Sequence, residues 1–104
     1  MWYIFPQIKG LGYSYLSRKF AISSLKEAEA YMVHPVLGVR LRECTQLVIL
    51  VEGRSIEEIF GHTDSLKFRS SMTLFCHSTT DNQIFNLAIE KYCGGYDPLT
   101  MERL

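Results

Sequence analysis

The stretch "PVLGVRLRECTQLVILVEG", residues 35–53, decides the fold. Within it Leu37, Leu41, Cys44, Val48 and Val51 recur at alternating spacings of four and three. That spacing lays one continuous apolar stripe along a helix. Pro35 suits the first helical position, where its missing N–H needs no partner. Gly53 suits the end.

Helix punctuation continues outward in both directions. Upstream, Ser24 and Glu27 form an S-x-x-E capping box before "LKEAEAYM", and His34-Pro35 stops that helix. Downstream, Ser55 and Glu58 form a second box before the short "IEEIF", which Gly61 closes. Asp64 is expected to cap "SLKFRSSMTLFCH", where Phe68, Met72, Phe75 and Cys76 share a face. Asp81 is expected to cap "NQIFNLAIEKYC", with Phe85, Ala88, Ile89 and Tyr92 on one face and Gly94-Gly95 as the stop. Asp97-Pro98 opens "LTMERL", and Tyr13, Leu16 and Phe20 mark one more short helix near the start. No segment alternates apolar and polar residues as a strand does. The expectation is an all-α fold: a compact, multi-helical single domain over residues 1–104, built from six to seven short helices.

Composition narrows the function classes. At 47% hydrophobic and 21% charged, the 104-residue chain is globular rather than disordered. Its formal net charge is zero and its lysines and arginines do not cluster, so no nucleic acid is expected as a partner. Cys44, Cys76 and Cys93 are odd in number and widely spaced, which fits neither a disulfide framework nor a zinc knuckle. They read as buried, reduced thiols in a cytoplasmic protein. No run approaches the ~20 apolar residues of a membrane span, and the opening "MWYIF" is too short and lacks the basic flank of a signal peptide.

No motif carries a decisive catalytic signature. Gly10-Leu11-Gly12 falls short of a dinucleotide fingerprint, because Tyr15 stands where the third glycine belongs. Lys9 beside these glycines could still hold an anion. Ser23-Ser24-Leu25-Lys26 matches S-x-x-K without its companion motifs, and Ser24 already serves as a cap. His34, His62 and His77 show no metal-ligand spacing, and Cys76-His77, as helical neighbours, point about 100° apart. Neither a metal nor a cofactor is expected. Arg40 lies about 60° from Leu37 on the helical wheel, so its guanidinium borders the apolar stripe. Two roles stay open for it: a structural ion pair with Glu43, or a bidentate anion clamp. Asp64, Lys67 and Ser71 fall within about 60° of one another at the edge of the Phe68/Phe75 face. An acid, a base and a hydroxyl at the rim of an apolar wall can line a pocket. The alternative is a cap, a solvated lysine and a hydroxyl bonded back to its own helix.

Four strings occur together and in order: "WYIFPQIKGLG", "AYMVHPVLGVRLRE", "EIFGHTDSLKFRSSMTLF" and "GGYDPLTMERL". Together they resemble the domain-of-unknown-function family 1810, from Trp2 to Leu104. The resemblance implies a compact all-helical protein and brings no activity with it. Its pattern positions include Gln7, His34, Arg40, Asp64, Lys67 and Ser71. It also implies that a first helix normally precedes the tryptophan and is lacking here, either because the domain is N-terminally shortened or because the gene start is. Trp2, Ile4 and Phe5 are then expected to pack inside as internal core residues with part of their cover missing. A homodimer through that uncovered N-terminal apolar surface follows as an expectation.

Two functional expectations result. In the first, Gln7, Lys9, His34, Arg40, Asp64, Lys67 and Ser71 line a polar cleft that binds or processes a small anionic or nucleotide-like ligand, with catalytic residues unassigned. In the second, the chain is a non-enzymatic interaction or structural module. Convergence of those side chains in one cleft separates the two.

Overall fold

A computed structural model describes residues 4–11 and 21–104. The expected helix around Tyr13, Leu16 and Phe20 lies outside the described residues, as do Trp2 and Gly12. The fold is all-α. Among the described residues there are six helices: α1 (Leu25–Val33), α2 (Leu37–Ile49), α3 (Ile56–Phe60), α4 (His62–Ser78), α5 (Gln83–Tyr92) and α6 (Pro98–Met101). No strand appears among them. One isolated parallel bridge pairs Ile8 with Ile22, through Lys9 N–H to the Ile22 carbonyl (2.7 Å) and Ile22 N–H to the Gln7 carbonyl (2.8 Å). It fastens the segment 4–11 beside the approach to α1.

Helix α4 is the axis of the domain. It packs against α1, α3, α5 and α6, while α2 closes the remaining side on α1 and α5. Its Phe68 meets Phe5 (5.1 Å between ring centroids), Phe60 (5.5 Å) and Tyr92 (6.5 Å). Two turns further on, Phe75 meets Tyr31 (5.3 Å) and Phe85 (6.1 Å). Edge-on and tilted aromatic contacts of this kind add to the burial term. Sequence patterning gave α4 a single apolar face. In the structure every residue from Ser70 to Cys76 is buried, because four helices wrap it.

The N-terminal run divides. Phe5 is buried by Phe60 and Phe68, as expected of a core residue. Ile4 is 38% exposed, contrary to expectation, since the chain there turns its neighbour inward instead.

Several helix ends differ from their sequence signals. The Ser55/Glu58 box is complete, and Asp97 caps α6 through Thr100 N–H (3.0 Å) with Pro98 in its first turn. Ser24 caps α1 through Glu27 N–H, but the Glu27 carboxylate takes the Ser23 N–H and hydroxyl rather than closing the box on Ser24. Helix α4 starts at His62, so Asp64 sits inside its first turn, where an acid still suits the N-terminal dipole. Asn82, not Asp81, precedes α5; the Asp81 carboxylate lies 3.8 Å from Arg42.

Helix α2 begins at Leu37, two residues after Pro35, and ends at Ile49 rather than at Gly53. Its C-terminal carbonyls are claimed by α5. The Lys91 ammonium donates to the Ile49 and Val51 carbonyls, and the Tyr92 hydroxyl meets those of Val48 (2.6 Å) and Val51 (3.0 Å). Orphan carbonyls at a helix end need such partners.

At the other end of α2, Gly38 is buried where the chain turns back on α1. A Cβ there would collide with the Met32 carbonyl oxygen, which is backbone and cannot rotate away. Gly38→Ala is therefore expected to destabilise the domain by at least ~1–3 kcal/mol, the usual range for overpacking. Urea denaturation compares it with the wild type; an unchanged midpoint would show that α1 and α2 can part at no cost.

Candidate functional site

The N-terminal segment 7–11 and the C-terminal segment 97–103 lie beside each other, and two open clefts are lined by residues of both. The first, about 300 Å³, is lined by Gln7, Leu11, Thr63, Leu66, Lys67, Ser70, Asp97 and Leu99. The second, about 450 Å³, is lined by Ile8, Lys9, Gly10, Ser23, Glu102 and Arg103.

Gln7 lines the first cleft and Lys9 the second. In the first, Lys67 comes from α4 with its ammonium 3.7 Å from Asp64 one turn earlier. Asp97 forms the opposite wall. One of its carboxylate oxygens accepts from the Ser70 hydroxyl (3.3 Å), Thr100 N–H (3.0 Å) and the Thr100 hydroxyl (2.6 Å). Its own N–H donates to the Thr73 hydroxyl oxygen (2.9 Å). Asp97 thus stitches α6 to α4 and is fixed in place.

In the second cleft, Gly10 has φ 99, a backbone conformation that favours glycine, and carries no side chain. The Arg103 guanidinium occupies the space a Cβ would need. Among the described residues, neither Lys9 nor Arg103 is held in an ion pair.

The expected seven-residue cleft does not assemble as one site. Gln7 and Lys67 meet, Asp64 joins them through its ion pair, and Lys9 lines the neighbouring cleft. His34, Arg40 and Ser71 line neither. The His34 ring sits at the α1–α2 junction, where Nδ1 accepts from Val36 and Leu37 N–H (3.1 Å each) and so caps α2. Arg40 lies on the solvent face of α2, because the stripe it borders ends at Leu37; the neighbouring Leu47 is also exposed. Among the described residues Arg40 makes no ion pair with Glu43. Ser71 is fully buried in the core, and its hydroxyl has no hydrogen-bond partner among the described residues. Asp97 was legible as a cap but not as a cleft wall, and Arg103 gave no signal, since only the tertiary approach to Gly10 places it.

A further cleft of about 380 Å³ lies along Asn86, Ile89, Glu90, Gly94, Gly95 and Tyr96. Its polar groups are largely used internally. Asn86 Oδ1 accepts from the Cys76 thiol (3.1 Å) and the Tyr96 hydroxyl (3.2 Å), and Asn86 Nδ2 donates to Asn82 (3.2 Å). Arg69 holds the loop through the Gly95 and Tyr96 carbonyls (3.0 and 2.9 Å). Among the described residues, no three His, Cys, Asp or Glu side chains gather as a metal would require. No described helix is long and apolar enough to cross a membrane.

The family described as "Protein of unknown function (DUF1810)" matches residues 1–104. The chain belongs to DUF1810. A solved relative is the conserved hypothetical protein Rv1873 from Mycobacterium tuberculosis, 55% identical, with a TM-score of 0.98. The match covers 99% of this chain and 74% of that one. No curated protein matches. The DUF1810 resemblance read from the four strings is thereby established, and the all-helical fold with it.

Two predictions follow from this geometry. Asp97→Ala removes the α6 cap and takes the acceptor from the Thr100 N–H and hydroxyl, so a loss of about 1–2 kcal/mol is expected, read as a lower melting temperature. The second concerns Cys93, one of three free thiols. Burial pushes it from 9.0 up to about 11, with Arg69 pulling down and Glu57 pushing up. The unfolded thiol ionises first, so stability is expected to fall as pH rises from about 9 to about 11. Cys93→Val should flatten that fall in denaturation curves; an unaltered slope would place its cause elsewhere.

Proposed function

We propose that this DUF1810 protein binds a small anionic, nucleotide-like ligand along the seam between residues 7–11 and 97–103. The observation that carries the reading is the pair Lys9 and Arg103, two cations beside an open cleft with no ion-pair partner among the described residues. Gly10 supports it by letting the guanidinium lie against the backbone, and a planar guanidinium suits bidentate recognition of phosphate or carboxylate. Ser23 lines the same wall, with its hydroxyl held by Glu27. Glu102 also lines this cleft, so the ligand's charge is assigned to the Lys9 and Arg103 side. Gln7 and Lys67, with Asp64 behind the ammonium, would meet its polar, uncharged part in the neighbouring cleft. His34, Arg40 and Ser71 serve elsewhere and leave the reading. It stops at binding and assigns no reaction type. A cytoplasmic setting is part of the proposal, supported by three unpaired thiols.

The test is titration of purified protein with inorganic phosphate and with a nucleoside monophosphate, followed by amide chemical-shift changes. Saturable shifts are expected at Lys9, Gly10 and Arg103, reaching Gln7 and Lys67 only with the nucleotide. The double variant K9A/R103A should weaken binding at least about tenfold, which is ~1.4 kcal/mol, with its melting temperature unchanged. No saturable binding of either compound, or equal binding by the variant, would refute the proposal.

A further inference from the structure

Helix α2 is apolar on two sides. Its inner face carries Leu41, Thr45 and Val48 into the core. Its outer face carries Val36, Val39, Leu47 and Leu50, which are 53, 51, 65 and 62% exposed. Single exposed aliphatic residues need no explanation, but four on one stripe do. Taking 100° per residue, Val36, Val39, Arg40, Glu43, Leu47 and Leu50 fall within about 100° of one another. Val36, Arg40, Glu43, Leu47 and Leu50 also follow the four-three spacing of a two-helix seam. The apolar residues stand at the two ends, and one cation and one anion stand between them. Among the described residues neither charge is ion-paired within the chain.

We propose that this face is a self-complementary docking surface on which a second copy of the chain lies antiparallel. The order of charges selects the occupant and its direction. A twofold axis passing between Leu41 and Arg42 sets Arg40 against the partner's Glu43, and Glu43 against the partner's Arg40. The same axis sets Val36 against the partner's Leu47, and Leu47 against the partner's Val36. Every contact is made twice, as an isologous interface requires. A parallel arrangement would oppose like charges at both positions. An antiparallel arrangement centred on Glu43 would oppose the two glutamates. Like-charge juxtaposition disfavours both.

The surface also sets the strength of the association. The seam from Val36 to Leu50 is about 21 Å long, and a helix is ~10–12 Å wide. Such a strip falls short of the ~800 Å² per partner found in stable complexes. The dimer is therefore weak and concentration-dependent. It is also distinct from association through the N-terminal apolar surface, where Phe5 is already covered by this chain's own rings and Ile4 stands exposed. It does not depend on ligand binding at the seam of residues 7–11 and 97–103.

Sedimentation equilibrium of the full chain, from about 10 μM to 1 mM, tests the proposal. The wild type is expected to shift from monomer toward dimer across that range. Leu47→Glu should abolish the shift, with its melting temperature unchanged because the position is exposed. Arg40→Glu and Glu43→Arg should each weaken association at least about fivefold, and the double swap R40E/E43R should recover it, since it restores opposite charges across the twofold axis. A wild type that stays monomeric to 1 mM would overturn the proposal. So would association that survives Leu47→Glu, or a double swap that fails to recover.

Discussion

A helix packed against four neighbours must pair most of the hydroxyl groups it buries, and α4 is such a helix. Ser65, Ser70, Thr73 and Ser78 are buried along it, and each donates to a carbonyl of the preceding turn. Satisfied this way, small polar residues let neighbouring helices approach closely without stranding a donor. Phe68 and Phe75 use that proximity, each meeting rings from other elements. Ser71 is the exception in the helix, a buried hydroxyl without a partner among the described residues. An orphaned buried hydroxyl carries a desolvation cost, which the surrounding aromatic packing must outweigh.

The same hydroxyls position the candidate site. Ser70 and Thr73 reach beyond their own helix to Asp97, one to its carboxylate and one to its N–H. These bonds tie the C-terminal segment to α4 by polar contacts. The bridge of Ile8 with Ile22 ties the N-terminal segment in turn, and Phe5 anchors it on Phe68. The two clefts exist because both segments are held against one helix and lie beside each other there. Lys9 and Arg103 come from nearly opposite ends of the chain, and only this arrangement makes them neighbours of one cleft.

Interdependence also governs the helix ends. Helix α2 stops where Lys91 and Tyr92 of α5 capture its last carbonyls, and it starts where the His34 ring accepts two of its first N–H groups. A helix whose termini are satisfied from outside holds its position relative to its neighbours. That rigidity matters for an outer face bearing Arg40 and Glu43 at fixed spacing.

By itself the sequence determined the helical class and most of the elements, because periodicity and capping chemistry are local. The complete Ser55/Glu58 box and the Asp97-Pro98 start were readable within four residues each. The family strings were readable for the same reason, as runs of adjacent residues. Tertiary structure decided what lies far apart in the chain. Arg40 looked like a border residue of the core, yet the stripe beside it narrows and leaves it in solvent. Ser71 looked like a rim hydroxyl, yet the packed core buries it completely. Gln7 and Lys67 converge across about 60 residues, and Arg103 settles on Gly10 across more than 90. A helical wheel ranks the faces of one helix, but burial depends on how many neighbours cover each face, and that number is set by packing.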